Sequence, residues 1–170
     1  VSLDDTYFLV DLADAASQEI DLSNLPEGTY QGMKFIVGVD STRNVSGAQT
    51  GALDPANGMF WSWNTGYIFL KLEGNSPAVA SPGDFEYHIG GFKDPYNSAV
   101  EIELDFGTYT LNTKSGSKPE VHVVVDLEEF FKNPTVSIAS NPTVIMPGPM
   151  AKSIADGYKD MFQFDHIHDD

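Results

Sequence analysis

The chain has 170 residues, a length that suits one domain with a sizeable core, with 9 Lys and Arg against 25 Asp and Glu for a formal charge of -16. Such a surface repels nucleic-acid duplexes and anionic membranes, attracts cations, and is also an ordinary route to solubility. It contains no cysteine, which excludes disulfides, thiolate zinc sites and thiol nucleophiles. No apolar run reaches the roughly 18 residues of a membrane-spanning helix.

Strand-like runs follow one another along the chain. Alternating or β-rich stretches predict strands at Thr6 to Leu12, Thr29 to Val39, Tyr67 to Leu72, Asp84 to Ile89, Ala99 to Phe106 and Val121 to Leu127. In Val100-Glu-Ile-Glu-Leu-Asp-Phe106 the alternation is strict, the pattern of a half-buried antiparallel strand, and it places Glu101, Glu103 and Asp105 on a solvated face. Turn residues punctuate the gaps: Pro26-Glu-Gly feeds a strand, and Asn57-Gly58 and Ser115-Gly116 mark hairpin tips or loop corners. Because Val1 stands so near the first run, an export signal and a first strand are expected upstream of it.

Helix signals are few and late. Asp126-Leu-Glu-Glu-Phe-Phe-Lys132 predicts a short helix with Asp126 as N-cap, stopped by Asn133-Pro134. Pro149 to Phe162 carries an apolar face of Met150, Ile154, Tyr158 and Met161, weakened at Gly157. These readings give one all-β domain over residues 1–170, an antiparallel β-sandwich or barrel with one or two short helices near the C-terminus.

Both tryptophans fall in Asp54-Pro-Ala-Asn-Gly-Met-Phe-Trp61-Ser-Trp63-Asn-Thr-Gly66-Tyr67, where turn residues give way to an aromatic, strand-like run. In a strand, Trp61 and Trp63 share a face. Three uses follow: half of a packed core, a flat platform for a carbohydrate or a protein, or an indole beside a metal.

Histidines are the main candidate metal ligands. His88 ends a strand and precedes Ile-Gly-Gly, where the backbone can turn sharply. His166 and His168 form a His-Ile-His pair whose spacing puts both imidazoles on one strand face, a pattern suited to copper, zinc or nickel. His122, inside Val121-His-Val-Val-Val, reads as a structural residue of a sheet face. Oxygen-bearing loops at Asp40 to Asn44 and Asp54 to Asn57 offer calcium a minor opening, without an EF-hand pattern. Asn44-Val-Ser46 fits an N-glycosylation sequon. No nucleophile elbow, P-loop, zincin or dinucleotide motif is present, and no nucleophile–base set can be assembled, so no catalytic activity is expected.

Several of these segments together carry a family resemblance. Phe35-Ile-Val-Gly-Val-Asp-Ser-Thr-Arg-Asn44, Met59-Phe-Trp61-Ser-Trp63-Asn-Thr-Gly66-Tyr67, Leu72-Glu-Gly74, Tyr87-His88-Ile-Gly-Gly91 and the tail Met161-Phe-Gln-Phe-Asp-His166-Ile-His168 resemble the MbnP-like copper-binding domain. The resemblance implies an exported bacterial protein, periplasmic or at the cell surface, with a β-rich fold and histidine-bound copper. In some members a tryptophan oxidised to kynurenine joins the site, made by a di-haem enzyme related to cytochrome c peroxidases. Carried over, this makes Trp61 the residue for oxidation and His88, His166 and His168 the ligands. A histidine follows the modified tryptophan by two positions in some copper-binding members, and Trp63 holds that position here.

The expected role is therefore copper capture or handling. Two rivals stand beside it: a non-metal module using the Trp61 and Trp63 face, and an electron-transfer partner of the di-haem enzyme. The sequence leaves the oligomeric state open.

Overall fold

Alternation builds most of the sheets, as the computed structural model, which describes residues 1–3, 6–22 and 24–169, makes concrete. In chain order the elements are β1 (Gly28–Tyr30), β2 (Gly32–Val37), α1 (Ser41–Val45), β3 (Phe60–Ser62), β4 (Gly66–Asn75), β5 (Asp84–Gly90), β6 (Val100–Asp105), β7 (Leu111–Thr113), β8 (Glu120–Val125), β9 (Thr143–Val144), α2 (Pro149–Asp156), α3 (Tyr158–Met161) and β10 (Phe162–His168). Pairing runs β3-β4-β5-β9 in the largest sheet, with two-stranded sheets β2-β6, β1-β7 and β8-β10. Every pair is antiparallel except β5-β9. The arrangement is consistent with a sandwich and requires no closed barrel.

The strict pattern of β6 is obeyed residue by residue. Ile102 and Leu104 are buried while Glu101, Glu103 and Asp105 face water. Burying each aliphatic side chain contributes about 1.5–3 kcal/mol, which holds the register against a one-residue slip. Lys34 on β2 reaches across to Glu101 and Glu103, at 3.5 and 3.1 Å. All three side chains are more than half exposed, so the ion pairs add little stability.

One main core joins the sheets to the C-terminal helices. Tyr87 and Ile89 of β5 and Ile102 and Leu104 of β6 pack with Ile154, Ala155, Tyr158 and Met161. Pro149 opens α2 at its first helical position, where its missing N–H costs nothing. The weakening expected at Gly157 goes as far as a break between α2 and α3: a Cβ there would lie 1.8 Å from the carbonyl oxygen of Asn133. Glycine is required by that close approach, and the helix bends into α3. Ile154, Tyr158 and Met161 face inward as the apolar pattern predicts, whereas Met150 lies on the exposed side.

Three expectations are corrected. Asp126 to Lys132 forms only a 3-10 turn at Glu129–Phe131. The Asp126 side chain does accept from the backbone N–H of Glu128 at 2.9 Å, but seven residues before Asn133-Pro134 are too few to repay helix nucleation. Phe130 and Phe131 instead pack edge-on against Tyr87.

Thr6 to Leu12 joins no sheet. Tyr7 packs against the small second core of Val39, Leu53 and Tyr67 and donates its hydroxyl proton to Asp40, while Phe8, Val10 and Leu12 stay exposed. The third correction concerns Trp63. Strand β3 ends at Ser62, so Trp61 and Trp63 do not sit side by side on one strand face.

Candidate functional site

The tryptophan run is built by local turn chemistry. Asp54 accepts from the N–H of Ala56 at 2.9 Å and caps a 3-10 turn at Pro55–Asn57. Gly58, at φ 72°, ends it in the left-handed region and releases the chain into β3. After β3 the Ser62 and Thr65 hydroxyls meet at 2.7 Å and close a tight turn into β4. Asn44 pins this corner from beneath: its Oδ1 accepts from the N–H of Tyr67 at 2.8 Å, and its Nδ2 donates to the carbonyls of Val39 and Asp40.

The two indoles have different surroundings. Trp63, at the turn, is 76% exposed. Trp61 is half-buried, with Cζ3 and Cη2 at 3.0 and 3.1 Å from the point a Cβ on Gly90 would occupy. Gly90 is thus the seat of the indole. His88 lies on the face of β5 opposite the fully buried Tyr87 and Ile89, and the ladder with β4 shifts register where Ile89 and Gly90 pair with Leu70 and Ile68. Trp61 thus packs onto β5 at Gly90, two residues beyond His88 in the chain.

His88 is held by a carboxylate. Its Nε2 lies 2.6 Å from Oε1 of Glu73 on β4, and its side chain is only 18% exposed. Lys71, paired with His88 in register, reaches the same Glu73 oxygen at 3.3 Å. The hydrogen bond from His88, joined by Lys71, holds the Glu73 carboxyl below the usual glutamate range. If Nε2 carries the proton toward Glu73, Nδ1 is left with its lone pair, the arrangement by which carboxylates orient metal-binding imidazoles.

A second group forms on β8 and β10. Phe162 and Phe164 point into the core and pair with Val125 and Val123. Plain alternation would send His166 and His168 the same way. A bulge at Asp165 intervenes, and the ladder resumes with His166 opposite His122 and His168 opposite Glu120. Both histidines are thereby turned to the outer face. The His122 and His166 rings stack at 4.2 Å and 8°. His122 Nε2 lies 3.6 Å from Glu120 Oε2, and His166 Nδ1 lies 3.0 Å from Asp165 Oδ2. Among the described residues, one set of three metal-capable side chains has its ligand atoms all within 4.8 Å of one another: Glu120, His122 and His168.

The predicted ligands His88, His166 and His168 are thus grouped differently. His88 is bonded to Glu73 within the large sheet, and His166 and His168 belong to the β8-β10 sheet. His122, read from its valine neighbours as structural, is half-exposed and takes part in the group that also holds Glu120. Its visible signal was parity, since Val121 and Val123 turn inward and His122 outward. No signal inside the chain's local pattern shows that it meets His166.

The loops considered for calcium spend their oxygens elsewhere. Asp40 caps α1 through the N–H of Arg43 and accepts from Tyr7, and Asp54 caps its own turn. The sequon asparagine, Asn44, is 1% exposed with its amide fully engaged, so it is closed to glycosylation. No helix among the described residues is long and apolar enough to cross a membrane.

The chain has no match among curated proteins or among solved structures. The MbnP family model, however, matches residues 1–147, a span that holds the tryptophan hairpin, Glu73, His88, Gly90 and β8 and stops before α2, α3 and β10. That match covers most of the chain, and the protein belongs to the MbnP family.

Proposed function

We propose that this chain is an exported copper-binding protein of the periplasm or cell surface, which captures or hands on copper and has no catalytic activity of its own. Family membership supports the metal's identity. The observation that carries the site is a carboxylate-held His88 on β5, two residues before Gly90, the glycine on which the Trp61 indole is seated.

The donor chemistry fits. With its proton on Nε2 toward Glu73, His88 offers Nδ1 as the ligand atom. An intact indole N–H is a donor and a poor ligand, so Trp61 as encoded supplies only a flat apolar wall. Oxidation of Trp61 to kynurenine would supply an aryl amine and a carbonyl at the Gly90 end of β5, and copper in its lower oxidation state accepts so small a donor set as these with His88. Trp63, exposed at the adjoining turn, stands where some members carry a further histidine, and it offers a contact surface to the di-haem oxidising enzyme. The formal charge of -16 steers a basic partner toward the protein, an attraction that weakens with salt.

The test is titration with copper(I) by calorimetry, on protein without a histidine tag. Wild type binds, His88→Ala loses that binding event, and Glu73→Gln weakens it by about 10- to 100-fold through loss of ring orientation. Unchanged binding in His88→Ala, or no copper(I) binding by wild type made with its oxidising partner, overturns the reading.

A further inference from the structure

We propose a second, independent metal site on the outer face of the β8-β10 ribbon, in which Glu120, His122 and His168 hold a divalent borderline ion of the zinc(II) or copper(II) class. It goes beyond the copper(I) reading at His88, shares no residue with it, and is completed by a strand outside the span that the family model matches.

The site is assembled by three features that have no common local cause. The register places His168 directly across from Glu120 and one outward position from His122. The bulge at Asp165 reverses the parity of the tail, so that histidines which would have entered the core face water instead. The stack of His166 on His122 across the two strands, with His166 held by Asp165, restrains the His122 ring.

The chemistry of the donors selects the ion. Two imidazoles and one carboxylate give a mixed nitrogen and oxygen set. It lacks the sulfur that favours copper(I) and the oxygen-only shell that suits calcium or magnesium. Tetrahedral ligands at about 2.0–2.1 Å from zinc lie about 3.4 Å apart. The three ligand atoms already lie within 4.8 Å of one another, and all three residues are exposed, so small rotamer changes close the remainder. A carboxylate at 3.6 Å from His122 also lowers the cost of bringing a dication there. Three protein ligands leave a fourth position to water, the composition of an open site. Because the ligands come from two strands, the ion also staples β10 to β8.

Zinc(II) and copper(II) chlorides, each titrated by calorimetry into the full chain, are the probes, with magnesium and calcium as controls. Wild type takes up one zinc(II) at micromolar or tighter affinity, and amide exchange in Phe162–His168 slows on binding. His122→Ala and His168→Ala each weaken zinc(II) more than about tenfold. His88→Ala leaves it unchanged, which separates this site from the copper(I) site. His166→Ala keeps most of the affinity, since His166 braces the site without ligating. The His122 and His168 side chains are exposed, and thermal melting without metal separates unfolding from ligand loss. Affinity no tighter than millimolar, zinc(II) binding insensitive to His122→Ala and His168→Ala, or equal loss in His88→Ala each overturns the proposal.

Discussion

His122 and His166 lie face to face across β8 and β10, ring centroids 4.2 Å apart and nearly parallel. The contact exists because a single extra residue, Asp165, separates His166 from Phe164 in the ladder. Phe164 remains in the core against Phe106, and the histidine two positions later faces solvent.

That relationship predicts an unusual tolerance. Removing one residue from the middle of a regular strand normally flips everything beyond it. Deleting Asp165 removes the bulged residue itself, so Phe164 stays paired with Val123 and the following histidine stays opposite His122. The deletion is expected to change stability by no more than about 1 kcal/mol and to keep the tail's amide protection. A tail that exchanges freely in the deletion variant contradicts the bulge assignment.

Glu73 gives a pH prediction. Its hydrogen bond from His88 holds the folded-state pKa below the ordinary 4.5, so its contribution to stability is complete above that value. The contribution is lost as pH falls through the lowered folded value. Glu73 is 44% exposed, so screening limits the effect to about 0.5 kcal/mol. Denaturation of wild type and Glu73→Gln should therefore differ at neutral pH and converge in acid. A difference that grows on acidification contradicts the sign.

Tyr7 reports on the opposite end of the pH scale. Burial, with the hydrogen bond and charge of Asp40, raises its pKa to about 12. The tie between the N-terminal segment and α1 is thus fully present below the ordinary tyrosine value of 10.0 and lost as pH rises through about 12. Phenolate absorbance titrated in wild type and Tyr7→Phe should show a missing step near the top of the range. A missing step at the ordinary value points to an untied phenol.

Gly157→Ala sets two magnitudes against each other. Helix propensity favours alanine by about 1 kcal/mol. The new Cβ, however, falls 1.8 Å from the Asn133 carbonyl oxygen, and overpacking of this kind costs about 1–3 kcal/mol or more. Steric overlap with a backbone atom wins, and the melting temperature is expected to drop by several degrees. A rise in melting temperature contradicts the close approach.

Oxidation of the indole leaves a mass signature. Protein produced with a di-haem partner is expected to gain about 4 Da at Trp61, from two oxygens added and one carbon and one oxygen lost as formate after hydrolysis, with dioxygen or peroxide as the oxidant. Protein produced alone keeps the indole. Peptide mass spectrometry distinguishes Trp61 from Trp63, and modification at Trp63 would transfer the role to the exposed turn.

Periodicity decided much of this protein before any folding was considered. The inward set of β6, the span of β5, the helical face of Ile154, Tyr158 and Met161 and the acidic surface all follow from residues within a few positions of one another, because side-chain direction along one element is a local property. The same logic overreached at Thr6 to Leu12, a strand-like run that joins no sheet, and at Trp63, where a turn ends the strand one residue early. What the sequence could not decide is which strands meet and in which register. Trp61 packs onto β5 only because Gly90 leaves room for an indole, and His122 meets His166 and His168 only because β10 pairs with β8 across a bulge. Register depends on contacts between residues some 40 positions apart, set by burial of Phe162 and Phe164 elsewhere in the core, and no local pattern encodes it.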